Sequence, residues 1–338
     1  MRRLLSIALL APLIWIGTAA QSSAEAPLCT LSPDFQRQVL TNDAIVGAAV
    51  YDLQTGSIWS GGHAGPYALH SVIKPPIAWA VMSDAYEEGR PLTRVHRDSL
   101  YYMVAWSLNP DVGVLLSMIG GLQGLNDFYQ RWGVPELIEL SHRSRWGASR
   151  AQPVHLARLF AALAMSETVP ELAREHGFDL LRSVVDGHRW GATIPEQSLP
   201  GWESLIKTGN FTLPESAGGD PVAKIDPHDY LDRHTLLSDL YDAPEATAGA
   251  AADTPLKQLA SRDRVLVRMN SAAIWLAAPW QGSQPRYVVA IMQESFYTWV
   301  GSRRLQDYIG AILADAIVER EAGRWSDAPS HCIKRALS

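Results

Sequence analysis

Ser71 and Lys74 stand three residues apart in "ALHSVIKPPIAWA", at the front of an apolar run with helical spacing. A serine hydroxyl is a weak nucleophile until a base takes its proton, and on a helix a lysine three residues later projects from the same face. Lys74 can be that base if burial or a second cation lowers its pKa. The plainer reading of the same residues is an N-cap serine followed by a solvated lysine, with Pro75 and Pro76 in the first helical turn.

Two further patterns carry polar groups of the kind acyl transfer needs. In "AWSLNP", Ser107 and Asn109 lie two apart ahead of Pro110, which also reads as a helix-breaking loop. In "LIKTGN" an apolar strand ends in Lys207, Thr208 and Gly209, followed by Asn210. There a cation and a hydroxyl can meet a substrate carboxylate, and glycine admits a close backbone or ligand. The chain has only five lysines, at 74, 207, 224, 257 and 334, against far more arginines. Arginine supplies charge but no titratable base, so lysine at 74 and 207 points to chemistry rather than to composition.

The elements that must position these residues follow from hydrophobic periodicity. "AIVGAAVY" (44–51) and "SIW" (57–59) flank the turn-like "DLQTG" and predict a hairpin. From residue 72 to about 188, apolar residues recur at spacings of three and four, punctuated by Gly89, Gly120, Gly121 and Gly133, which predicts a run of helices. Strand patterns return at 202–209, 264–279 and 285–295, and a closing helix is expected from 302. Strands, then helices, then strands imply an α/β (α+β) fold, with an all-helical subdomain (71–201) inserted into a sheet subdomain (27–70 and 202–325). A cleft between such parts is a common ligand site.

Residues 211–263 form a long Pro-, Asp-, Ala- and Gly-rich insertion between two strands that otherwise pair as neighbours. It reads as a functional lid or a disordered excursion. His228, Asp229, Asp232 and His234 within it lack a recognised ligand spacing, and no metal is expected.

The 338 residues are 47% hydrophobic and 19% charged, with a formal net charge of −6. That balance, without a long basic run, argues against nucleic acid as a partner. "MRRLLSIALLAPLIWIGTAAQSSAEA" has the positive start, apolar stretch and small residues of a signal peptide, so residues 1–26 are expected to be removed on export to the periplasm or beyond. No transmembrane segment is expected in the remaining chain. Cys29 and Cys332 lie near opposite ends; in an oxidising compartment they form a disulfide or remain two free thiols.

In order, Ser71-Val72-Ile73-Lys74, Ser107-Leu108-Asn109 and Lys207-Thr208-Gly209 resemble the active-site set of the serine β-lactamases and penicillin-binding proteins, nearest to class A. "VGAAVYDLQTGSIWSGG", "MVAWSLNPDVGVLLSMIGGLQGLNDFYQRWG", "AQPVHLARLFAAL" and "NSAAIWLAAP…PRYVVAIMQE" extend the resemblance over about residues 44–320, apart from the insertion. It implies an antiparallel sheet flanked by terminal helices. It also implies an acylated Ser71, Lys74 as its base or base partner, Ser107 as proton relay to the leaving nitrogen, and Asn109 on the substrate amide. Lys207 and Thr208 are implied for a substrate carboxylate, Gly209 for close approach, and the N–H groups of Ser71 and Asn210 for the oxyanion hole. The implied substrate is a β-lactam or a D-Ala-D-Ala-like peptidoglycan amide, with no cofactor and a monomeric chain.

Three departures qualify the likeness. The gap between Ser71 and Ser107 is shorter than class A enzymes usually have. Leu108 stands where they usually have Asp. The Ω-loop Glu-x-x-Leu-Asn pattern that activates their hydrolytic water is missing from "GVPELIELSHRSRWGASRAQP", where Glu136 and Glu139 are the carboxylates at hand. An acyl-enzyme without such a base would persist. The alternative function is a non-catalytic relative that binds a cell-wall peptide or a protein in the same cleft.

Overall fold

The computed structural model describes residues 28–30, 44–134, 138–141, 143–194, 198–214, 265–295 and 299–322. The expected signal peptide, Cys332, Glu136 and the His228–His234 patch lie outside them.

The early hairpin forms as expected. β2 (Ala44–Asp52) and β3 (Ile58–Gly62) pair antiparallel around a turn in which Asp52 Oδ1 accepts from the Gln54 and Thr55 N–H groups. The short β1 (Leu28–Thr30), which carries Cys29, adds to β3 in parallel, so the sheet is antiparallel except at this edge. With β7 (Glu203–Pro214), β8 (Val265–Leu276) and β9 (Pro285–Ser295) the sheet has the order β1-β3-β2-β9-β8-β7. A second, three-stranded sheet joins β4 (Tyr67–Ala68), β6 (Arg150–Ala151) and β5 (Ile138–Glu139).

Alternation along the central strands assigns residues to two buried faces. Val288, Ala290 and Met292 of β9, Ala272 and Ile274 of β8 and Leu205 of β7 join the larger core with the helices. Tyr287, Val289, Ile291, Ala273, Trp275 and Ile206 join a second core with the C-terminal helix. A sheet covered on both faces explains why these strands read as nearly continuous apolar runs.

The helical stretch resolves into α1 (Lys74–Glu87), α2 (Arg94–Ala105), α3 (Pro110–Met118), α4 (Gly121–Arg131), α5 (Pro153–Met165) and α6 (Glu171–Arg182). Gly89, Gly120 and Gly133 hold positive φ between or after them, the conformation that ends a helix cheaply in glycine, and Gly121 holds it as the first residue of α4. α5 lies on the inner face of β2, β8 and β9, and α7 (Trp299–Glu321) covers the outer face of β8 and β9. Of the expected flanking terminal helices, α7 is the C-terminal one; an N-terminal one would fall outside the described residues. Among the described residues no helix is long and apolar enough to cross a membrane.

α7 is also fastened by charge. Asp52, fully buried at the end of β2, receives Arg286 of β9 at 2.8 Å and Arg320 of α7 (Nε at 3.0 Å). Arg286 also meets Glu321 at 2.8 Å. Burial alone would push the Asp52 carboxyl up, but the Arg320 guanidinium, the Gln54 N–H, the Thr55 side chain and Arg286 together hold it below its ordinary value.

Two sequence expectations need correction. β7 runs to Pro214, paired with Val265, so the long insertion leaves the strand four residues beyond Asn210. Ser71 is not a helix N-cap: it lies inside a 3-10 turn, His70–Ile73, and no side chain caps either that turn or α1.

Candidate active site

The 3-10 turn has a direct consequence for Ser71 and Lys74. The Lys74 backbone N–H donates to the Ser71 carbonyl, and in a 3-10 turn side chains at i and i+3 eclipse each other. The serine and the lysine therefore project toward the same side where the turn passes into α1. His70, just before Ser71, is held at φ +50°, and its ring stacks on Phe211 of β7 (centroids 5.4 Å apart). A left-handed conformation outside glycine costs energy that the surroundings must hold in place.

Lys74 is fully buried. Its Nζ donates to the Ser107 carbonyl (2.5 Å), Ser107 Oγ (3.3 Å) and Asn109 Oδ1 (2.8 Å). Among the described residues no hydrogen bond joins it to Ser71 Oγ. Ser107 also sits at positive φ (+60°), between the end of α2 and the start of α3. Asn109 precedes Pro110 at the start of α3, where an asparagine ordinarily caps the helix. Here its side chain makes no capping bond and accepts from Lys74 instead. The "SLNP" segment thus gives up local stability to arrange polar groups around an amine.

The second lysine arrives from the sheet. Leu205 of β7 faces the helical core, so by alternation Lys207 and Gly209 face it too. Lys207 is fully buried, and its Nζ donates to Ser107 Oγ (2.9 Å) and to the Thr208 carbonyl (2.9 Å). Thr208 turns its hydroxyl onto the His188 carbonyl at 2.9 Å. A Cβ on Gly209 would lie 2.7 Å from the Ser71 nitrogen and 3.0 Å from both Leu69 O and Val72 N. Only glycine lets this edge strand press so closely on the serine turn. The next residue, Asn210, is half-buried opposite Met269, and its backbone lies next to that contact.

The electrostatics follow from crowding two lysines into one dry site. Burial pushes Lys207 down to about 7. Burial, and then the charge of Lys207, lowers Lys74 well below the ordinary lysine range, against a smaller opposing pull from Asp111. His188, in a 3-10 turn (Asp186–His188), is pushed down to about 4 by burial and by the charges of Lys207, Lys74 and Arg303, and stays neutral at pH 7. The arrangement can therefore hold an unprotonated amine beside a serine at neutral pH, with a second hydroxyl bridging it to a cation.

The structure brings together Ser71, Lys74, Ser107, Asn109, Lys207 and Gly209, with Thr208 and Asn210 on the same strand. Sequence reasoning missed His188 and Trp146, whose ring centroid lies 5.3 Å from Lys74 Nζ. Each reaches the site from a short 3-10 turn far away in sequence, and neither "DGHRW" nor "SRWGA" carries a local pattern to mark it. Among the described residues no group of three or more His, Cys, Asp or Glu could hold a metal ion.

No protein-family model and no curated protein sequence matches the chain. Solved structures do. A putative class A β-lactamase, PenP, from Rhodopseudomonas palustris is 16% identical with a TM-score of 0.57, covering 83% of this chain and 97% of its own. A class A β-lactamase representative from Bacteroides cellulosilyticus is 12% identical with a TM-score of 0.60, covering 85% and 96%. A β-lactamase from Streptosporangium roseum is 16% identical with a TM-score of 0.55, covering 86% and 98%. The chain has the fold of the class A β-lactamases over most of its length.

Proposed function

We propose that the protein is an exported serine acyl hydrolase that forms an acyl-Ser71 intermediate with a β-lactam or a D-Ala-D-Ala-like amide. One observation carries the reading: a fully buried lysine, three residues after Ser71, shares the Ser107 hydroxyl with a second buried lysine. Two lysines are costly to bury, and a site that holds them is suited to proton transfer.

In this reading the neutral Lys74 amine takes the Ser71 Oγ proton as Oγ bonds to the substrate carbonyl carbon. The oxyanion lies between the N–H groups of Ser71 and Asn210, whose proximity Gly209 supports. The proton then passes from Lys74 through Ser107 Oγ to the leaving nitrogen, the C–N bond breaks, and acyl-Ser71 remains. While protonated, Lys207 holds the substrate carboxylate, with Thr208 beside it, and Asn109 contacts the substrate amide. Export rests on the N-terminal sequence pattern.

An intact-mass time course with a penicillin, run beside Ser71→Ala, tests the reading. A mass gain that requires Ser71 is expected. A second reading, a binder of cell-wall peptides without turnover, draws on the Lys74 Nζ bonds, which go to Ser107 and Asn109 rather than to Ser71. No Ser71-dependent adduct with several β-lactam types would favour it.

A further inference from the structure

We infer that Trp146 shields Lys74 and the acylated serine from water, so that Ser71 is acylated but the acyl group is released slowly and the protein acts as a covalent trap. The inference rests on the reading of Ser71 as the nucleophile.

Trp146 lies in a 3-10 segment, Arg143–Ala148, between β5 and β6. That segment packs against the Ser71 turn. The link is made by backbone: the Leu69 N–H donates to the Ser149 carbonyl at 2.7 Å, and the Ser149 N–H to the Trp146 carbonyl at 3.1 Å. Ser149 Oγ also accepts from the Ser141 N–H at 3.1 Å, which ties together the residues flanking the segment. A Cβ on Gly147 would lie at ordinary contact distance, 3.5 Å, from His70 Cα. The half-buried indole itself packs against the main core. Trp146 is thus held by the strand-turn framework, two backbone hydrogen bonds from Leu69, with its ring against the amine.

What it covers matters for the second half-reaction. Acylation needs no water: the Oγ proton ends on the leaving nitrogen. Deacylation needs a water oxygen to bond to the ester carbonyl while the C–Oγ bond breaks, one water proton returning to Oγ and the acid leaving as product. A base must face that water. Lys74 Nζ directs its polar contacts to Ser107 and Asn109 and meets an indole ring at 5.3 Å. Among the described residues no carboxylate is hydrogen-bonded to Lys74; Asp111 is the carboxylate whose charge reaches it. The face of an indole supplies no base to activate a water, and against Lys74 it fills space through which solvent would otherwise reach the amine.

The test separates formation of the adduct from its loss. The wild type, Trp146→Phe and Trp146→Ala are acylated with a penicillin, freed of excess reagent, and followed by intact mass. The wild type and Trp146→Phe are expected to hold the adduct, while Trp146→Ala forms it within a few-fold of the wild-type rate and loses it at least about tenfold faster. The pH of half-maximal acylation should also move upward in Trp146→Ala, because a hydrated Lys74 regains a higher pKa while Lys207, His188 and Asp111 stay in place. A purely structural role for Trp146 would not shift it. If Trp146→Ala shows no cooperative melt, Trp146→Gln, which carries no base, takes its place with the same expectation. An unchanged adduct lifetime in a variant acylated at the wild-type rate overturns the inference, as does a wild-type adduct that vanishes within the first time points. Absence of any wild-type adduct overturns instead the nucleophile reading on which it rests.

Discussion

Lys74 and Lys207 share one hydroxyl: both side chains reach Ser107 Oγ, at 3.3 and 2.9 Å, one from α1 and the other from β7. Two full positive charges on one oxygen in a buried site repel strongly, so the pair favours a state with at least one neutral amine. Acylation in the proposed mechanism needs Lys74 neutral and Lys207 charged. The rate with a carboxylate-bearing substrate should therefore rise as pH passes upward through the lowered Lys74 value and fall as Lys207 loses its proton near 7. A stopped-flow acylation profile should show that alkaline limb. In Lys207→Arg, which does not deprotonate in this range, it should vanish or move well upward.

Much of this arrangement was legible in the sequence, for identifiable reasons. Ser71, Lys74, Lys207 and Gly209 each sit on an element with a strong pattern, and their partners follow once strand and helix are placed. The early hairpin and the helices from α1 to α6 were equally plain. Trp146 and His188 were not, because proximity made by folding leaves no spacing to read. The strand end at Pro214 was missed because "FTLP" looks like the start of the insertion, yet its backbone pairs with "VLVR" across the sheet. β1 is three residues long, too short for periodicity to show that it runs parallel.

Gly209 is the strictest steric requirement at the site. An added Cβ would sit 2.7 Å from the Ser71 nitrogen, a backbone atom that moves only with the whole 3-10 turn. In Gly209→Ala the strand and the turn must separate by several tenths of an ångström, which displaces the paired N–H donors of the proposed oxyanion hole. Acylation is expected to fall by about 10²–10³, the cost of one such donor. The melting temperature should drop by an amount consistent with about 1–3 kcal/mol of overpacking. Unchanged acylation in this variant would remove the close approach from the mechanism.

Ser107 combines strain with chemistry, and two substitutions pull these apart. At φ +60° an alanine carries the same backbone penalty as serine, while glycine carries none. Ser107→Gly should therefore be more stable than Ser107→Ala by about 1 kcal/mol in denaturant melts. Both lose the hydroxyl that bridges Lys74 and Lys207, and both should lose about 10²–10⁴ in acylation rate if Ser107 relays the proton. A Ser107→Ala protein that acylates at the wild-type rate would show that the leaving nitrogen takes its proton elsewhere.

Far from the site, the Asp52 cluster fastens α7 to the sheet, and its dependence on pH has a definite sign. Asp52 is fully buried between Arg286 and Arg320, and its folded-state pKa lies below the ordinary value. In the unfolded chain the carboxyl binds its proton at about 3.9, so over the window between the two values the unfolded state holds more protons. The stabilisation is therefore complete above that unfolded value and is lost as pH falls through the folded one. Asp52→Asn leaves two arginines facing a neutral amide and should cost about 3–5 kcal/mol at pH 7, the range for breaking one partner of a buried pair. Melting curves of the wild type and Asp52→Asn should then converge as pH falls from 5 toward 2. Parallel curves across that range would mean that the carboxylate charge is not what the cluster relies on. Because the cluster touches β2, β9 and α7 but none of the residues around Ser71, Asp52→Asn protein that is still folded should acylate at the wild-type rate.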